Sequence, residues 1–142
     1  MNAAVSALRP APTNAATRPA LTDALRATVG AKSAAALALL RETVAEFDAN
    51  ATNGALAFAN SFGAEDMVLT DLILSNALPI TVSARDTGRL PAETYSLIGE
   101  VERRYGKKLE IYFPDAGAVE TFVRSHGINA FYDSVELRKA CC

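Results

Sequence analysis

The chain has 142 residues and a mass of 15.0 kDa, room for one domain on a prior of roughly 100–200 residues each. Half of it is hydrophobic, 21% is charged and the mean hydropathy is +0.12, which excludes disorder as the state of the whole chain. A net charge of −2 and an isoelectric point near 5.4 give no overall attraction to nucleic acid or anionic membrane. No apolar run approaches the roughly 18–20 residues that cross a bilayer, so a soluble, cytoplasmic protein is expected.

Residues 1–20 hold seven Ala and three Pro, with Arg9 and Arg18 as their charges. They show no secretory apolar stretch, and the lack of acids before Asp23 faintly resembles an organellar transit peptide. A disordered extension is the commoner explanation, and residues 1–31 are expected to be flexible, with the folded domain over 32–142. From Lys32 to Asp48, Leu37, Leu40, Val44 and Phe47 mark one helical face, ended by the polar cluster running to Gly54. Ala55 to Asn60 reads as a buried strand, followed after Gly63 by a helix to about Ser75 that is apolar on nearly all sides. A second strand follows Pro79, over Ile80–Ala84. Pro91 suits the first position of the next helix, which presents Ile98, Val101 and Tyr105 and stops at Gly106. Leu109, Ile111 and Phe113 alternate with Glu110 and Tyr112 as a third strand. Asp115 can cap a helix with Val119 and Phe122 inward, ending at Gly127. A last helix starts near Asp133 or Ser134, with Glu136 placed for a near capping box.

Strands alternating with helices imply an α/β fold with a mostly parallel sheet and flanking helices. Ligands of such sheets lie at the carboxyl ends of the strands, which makes the loops at 61–66 and 85–90 neighbours. In the first, Ser61, Phe62, Gly63, Ala64, Glu65 and Asp66 turn a strand into a helix N-terminus, an anion site through its unpaired N–H groups. Gly63 admits a close ligand and Ser61 adds a hydroxyl donor. The plainer reading is a simple strand-to-helix turn whose acids complement the helix dipole. Neither a Walker A loop nor a dinucleotide fingerprint is present. In the second loop, Asp86, Thr87, Gly88 and Arg89 bring together a carboxylate, a hydroxyl, a permissive glycine and a guanidinium suited to phosphate or sulfate. Its plainer reading is a turn capped by Asp86 with solvated Arg85 and Arg89.

Cys141 and Cys142 are the only cysteines. Adjacent Cα atoms lie about 3.8 Å apart, below the usual disulfide range of about 4.4–6.8 Å. Two buried thiols, a bridge to another chain, or two ligands of a soft metal centre remain open. With the lone histidine, His126, better placed to meet a helix dipole, a metal site would need ligands from elsewhere. Arg138 and Lys139 just before the pair would complement a thiolate-bound cluster, or form a solvated basic helix end.

Three stretches in order, Ser61-Phe-Gly-Ala-Glu-Asp66, Asp86-Thr-Gly-Arg-Leu-Pro-Ala-Glu-Thr-Tyr95 and Phe131-Tyr-Asp-Ser-Val-Glu-Leu-Arg-Lys-Ala-Cys-Cys142, resemble the assimilatory adenylyl-sulfate/phosphoadenylyl-sulfate reductases from about residue 35 onward. The resemblance implies an adenine-nucleotide alpha-hydrolase-like, PP-loop fold. It also implies reduction of adenylyl sulfate, or of its 3′-phosphorylated form, to sulfite and the nucleotide monophosphate or bisphosphate, with thioredoxin or glutaredoxin supplying electrons for cysteine biosynthesis. Carried over by motif, Ser61 to Asp66 form the modified PP-loop, Asp86, Thr87 and Gly88 line the adenosine site, and Arg138 and Lys139 flank a cluster. Cys141 and Cys142 become two of the four ligands of a [4Fe–4S] cluster.

The family pattern also carries a later Cys-x-x-Cys and a late catalytic cysteine, and neither lies in these 142 residues. The chain therefore reads as an N-terminal portion, ending abruptly after a helix, with no catalytic residue of its own and no turnover by itself. Arg85 stands where the family usually has Leu, a charge that could disturb the adenine contact. The competing readings are a PP-loop ATP pyrophosphatase and a non-enzymatic nucleotide-binding module that dimerises through Cys141 and Cys142.

Overall fold

A computed structural model describes residues 21–50 and 54–141. The extension expected over residues 1–20, and Cys142, lie outside the described residues. Helix α1 spans Asp23–Ala49, beginning where the Thr22 hydroxyl accepts the Leu25 amide at 3.2 Å. Residues 23–31, expected within the flexible extension, are thus helical. Alanine-rich sequence after a threonine cap favours that outcome without any apolar stripe to announce it. Leu21 to Lys32 remain exposed, and packing begins at Ser33, with Leu37, Leu40, Val44 and Phe47 on the half-buried face.

Beyond α1, the order is β1 (Leu56–Ala59), α2 (Ala64–Ser75), β2 (Ile80–Arg85), α3 (Ala92–Tyr105), β3 (Glu110–Tyr112), α4 (Ala116–His126), a 3-10 turn at Ala130–Tyr132 and α5 (Val135–Cys141). The three strands pair in parallel in the order β1-β2-β3. Right-handed crossovers between successive parallel strands place α2 and α3 on one face of the sheet. There Ile73, Val82, Val101 and Leu109 form the main core, joined by Phe58, Leu97 and Ile111.

The opposite face carries Ala57, Ala59, Thr81, Ser83, Arg85, Glu110 and Tyr112, because side chains alternate along a strand. β1 is accordingly not the buried strand expected. It is an edge strand, half-buried at Leu56 and Phe58 and exposed at Ala57 and Ala59. Phe113 lies beyond β3 and is 68% exposed, so the inward alternation stops at Ile111. Helix α2 is likewise one-sided, with Val68 exposed and Thr70 fully buried.

A second, smaller cluster gathers Phe122, Ala130, Phe131 and Cys141, with Val123 and Leu137 against them. It packs the 3-10 turn onto α4 and α5. Ser134 rather than Asp133 caps α5, accepting the Leu137 amide at 3.1 Å. Pro91 sits at the N-cap of α3, one position before the helix proper. Among the described residues, no helix is long and apolar enough to cross a membrane.

Candidate functional site

All three strands run the same way, so their carboxyl ends share one rim, and both candidate loops leave from it. The first loop is organised by a residue that sequence reasoning passed over. Asn60 is 5% exposed, and its amide group donates to Thr70 Oγ1 at 2.8 Å while its carbonyl accepts the Phe62 N–H at 2.6 Å. The Thr70 hydroxyl in turn donates to the Asp66 carbonyl at 2.8 Å. This network holds Phe62 at φ +63°, a left-handed conformation uncommon outside glycine. Gly63 has φ −66°, and a Cβ there would meet only ordinary contacts at 3.5 Å. The conformational demand of the turn therefore falls on Phe62, not Gly63.

Asp66 has an internal partner. Its Oδ2 accepts the Ser61 hydroxyl at 2.6 Å and the Ser61 amide at 2.7 Å. These two bonds, the hydroxyl first, hold the carboxyl below its ordinary value of 3.8 against a smaller opposing effect of burial. The Ser61 hydroxyl, read from sequence as a donor to a ligand, thus donates to Asp66, while its oxygen accepts the Gly63 amide at 3.4 Å. The first-turn amides of α2 carry no side-chain cap, which leaves the helix terminus as the positive feature of this loop.

In the second loop Asp86 is 6% exposed, and its Oδ1 accepts the Gly88 amide at 2.6 Å and the Tyr95 hydroxyl at 2.9 Å. Bonding to the carboxylate, with lesser help from burial, pushes the Tyr95 phenol above its usual value. Gly88 stands at φ +75°, where an L side chain is strained. Arg89 turns away from the first loop, its guanidinium 4.0 Å from the Phe131 ring centroid. The structure therefore splits the four residues of this loop. Asp86 and Gly88 make the turn, Thr87 is half-buried beside them, and Arg89 reaches the cysteine-bearing module.

Between the loops lies a cavity of about 610 Å³, within the range of small-molecule sites. Ser61 and Phe62 line one side, Leu90, Pro91 and Thr94 another, and Tyr112 of β3 closes it. Its floor is small: Ala59 pairs with Ser83 in register, and both line it. Gly63, Ala64, Glu65, Asp66 and Asp86 to Arg89 do not line it, and instead shape the loops around it. Ser83, Thr94 and Tyr112 had no sequence signal of their own. Only their places at strand ends and at a helix start could have singled them out.

Cys141 is unbridged and 8% exposed, against Phe122, Ala130 and Phe131. Arg138 Nε donates to the Phe131 carbonyl at 3.3 Å, so it fixes the turn to α5, and Lys139 is exposed. Among the described residues no three His, Cys, Asp or Glu side chains gather as a metal site. A four-thiolate cluster at Cys141 would need its remaining ligands from beyond the described residues.

A parallel α/β sheet with a cavity at its strand ends, bounded by a strand-to-helix loop and an Asp-Thr-Gly turn, places the chain in the class of open α/β proteins whose ligands bind at the carboxyl ends of their strands. Residues 55–142 match the phosphoadenosine phosphosulfate reductase domain, and the chain belongs to that family, with its PP-loop type of fold. It is 46% identical over 115 residues to an adenosine 5'-phosphosulfate reductase of Allochromatium vinosum, covering 81% of this chain and 43% of that protein. It is 53% identical over 85 residues to one of Burkholderia cepacia, covering 60% and 34% of the two chains. A probable chloroplastic 5'-adenylylsulfate reductase 1 of rice, Oryza sativa subsp. japonica, is 42% identical over 88 residues, 62% of this chain and 18% of that one. The chain thus spans less than half the length of these relatives.

Proposed function

We propose that these residues form the nucleotide-binding part of an adenylyl-sulfate reductase, which reduces the sulfuryl group of adenylyl sulfate, or of its 3′-phosphorylated form, to sulfite and releases the nucleotide. The observation that carries this reading is the cavity between the two loops, in a chain whose residues 55–142 match the family. The names of its relatives support the substrate. In this reading, the loop from Ser61 to Asp66 borders the phosphate side of the ligand, and the turn from Asp86 through Thr87 and Gly88 borders the adenosine. Asn60, Thr70 and Asp66 hold the first loop in shape, and Tyr95 holds the second.

Two electrons and two protons convert adenylyl sulfate to AMP and sulfite, and thioredoxin or glutaredoxin is the proposed dithiol donor, itself oxidised to a disulfide. Cys141 and Cys142 are proposed as two ligands of a [4Fe–4S] cluster whose other thiolates come from outside these 142 residues. Arg138 and Lys139 then lie beside it. By the same reading the enzyme works in sulfate assimilation in the cytoplasm, and the 142 residues alone bind nucleotide at most weakly and do not turn it over.

Calorimetric titration of the 142-residue chain with AMP and with adenylyl sulfate tests this reading. Saturable heat with both, and no sulfite on adding reduced thioredoxin, is the expected result. Absence of binding to either overturns the nucleotide site. Pyrophosphate release from ATP would replace the reading with that of an ATP pyrophosphatase.

A further inference from the structure

Arg85 ends β2 and is the only charged residue among the described residues that line the cavity. It sits on the same sheet face as Ser83, paired in register with Tyr112 of β3. Among the described residues, ion pairs join Lys108 to Glu102 and Arg124 to Glu120, and Arg85 takes part in neither. The acids around it are turned to other uses: Glu110, diagonal to it on the same sheet face, accepts the hydroxyl of Tyr112, the residue paired with Arg85. Asp86, the next residue, points its carboxylate at the Gly88 amide and the Tyr95 hydroxyl. Asp66, across the cavity in the first loop, is bonded twice to Ser61. The Arg85 guanidinium therefore stands at the cavity with no hydrogen-bond or ion-pair partner among the described residues.

That arrangement selects for an anion. A guanidinium presents five donors in a planar fork that fits two oxygens of a phosphate or sulfate group, and it stays charged at any working pH. A neutral ligand in the same space would cover the cation and return nothing to it, whereas an anion meets it with charge-assisted bonds. The chain as a whole is acidic, so the attraction is local to this rim.

We infer that Arg85 is a specificity-determining residue of the cavity, one that grips a phosphate-type group of the bound nucleotide and favours nucleotides over nucleosides. The inference rests on the proposed nucleotide site and refines it. It assigns a positive role to a side chain whose charge, on sequence alone, looked like an obstacle to adenine.

The test compares the 142-residue chain with Arg85→Leu and Arg85→Lys by calorimetry, using adenosine, AMP and adenosine 3′,5′-bisphosphate as probes. Arg85 is exposed at its strand end, so both variants keep the unfolding midpoint of the parent. Arg85→Leu is expected to bind AMP about tenfold more weakly, the scale of one lost charge-assisted bond, with adenosine changed less than about twofold. Arg85→Lys should fall between the two. Equal losses for AMP and the bisphosphate place the 5′ group against Arg85, and a loss confined to the bisphosphate places the 3′ group there. Unchanged affinity of Arg85→Leu for both nucleotides overturns the inference and leaves the nucleotide site standing. A parent chain that binds none of the three probes overturns both.

Discussion

The Arg89 guanidinium stacks 4.0 Å from the ring centroid of Phe131, joining the turn after β2 to the apolar cluster that buries Cys141. One side chain thus couples the loop beside the cavity to the module that ends at Cys141. Arg89→Ala is expected to cost about 0.5–1 kcal/mol in denaturant unfolding, the usual worth of such a contact near a surface. It should also speed the reaction of Cys141 with a thiol reagent, measured in a Cys142→Ser background. An unchanged reaction rate would show that the stacking does not hold α5.

Thr70 is wholly buried, and its hydroxyl serves Asn60 and the Asp66 carbonyl at once. Thr70→Val keeps the shape and strands the Asn60 amide, so a loss of roughly 1–3 kcal/mol is expected. Thr70→Ser keeps both bonds and should lose about 1 kcal/mol for the missing methyl. Equal stability of the valine variant and the parent would mean that Asn60 finds another partner.

Asp66 gives a pH signature. Its carboxyl is held below 3.8 by the Ser61 hydroxyl and amide, so the unfolded chain takes up this proton first as the pH falls. The stability it contributes is complete above the ordinary carboxyl value and is lost as the pH drops through the lowered one. Unfolding midpoints of the parent and Asp66→Asn should therefore converge in acid and separate above about pH 4. Parallel pH profiles for the two would show that Asp66 carries no such linkage.

Gly88 occupies φ +75° with open space around its Cα, so strain alone governs substitution there. Gly88→Ala is expected to cost roughly 1–2 kcal/mol, since an L side chain in that conformation clashes with its own backbone. AMP affinity should fall with it, because a strained turn holds Asp86 less firmly against its Gly88 amide. A variant as stable as the parent would mean that the turn relaxes to another conformation.

The strands, the helices after them and both rim loops were legible because period and punctuation act locally: Leu109 and Ile111 alternate, and Gly106 stops α3 in a left-handed conformation. The early start of α1 was not, since alanines at exposed positions carry helix propensity without a stripe. The 3-10 turn at Ala130–Tyr132 was hidden because its burial depends on α4 and α5 meeting. Within the site, the loops could be located but not the direction of their side chains. Nothing in the spacing of Ser61 and Asp66 tells whether they face a ligand or each other, and Arg89 leaves its own loop for a ring 42 positions on. Tyr112 and Thr94 reach the cavity through sheet register and helix placement, which are tertiary facts.

The paired Ala59 and Ser83 at the bottom of the cavity have a separate consequence. Ala59 is exposed and points away from the main core, so bulk added at that position fills the depression while the buried Ser83, whose hydroxyl donates to the Phe58 carbonyl, stays in place. Accommodation and foldedness are thus independent properties of this molecule. Ala59→Leu is expected to give a well-folded plug, a blank against which every binding measurement on the native chain can be judged.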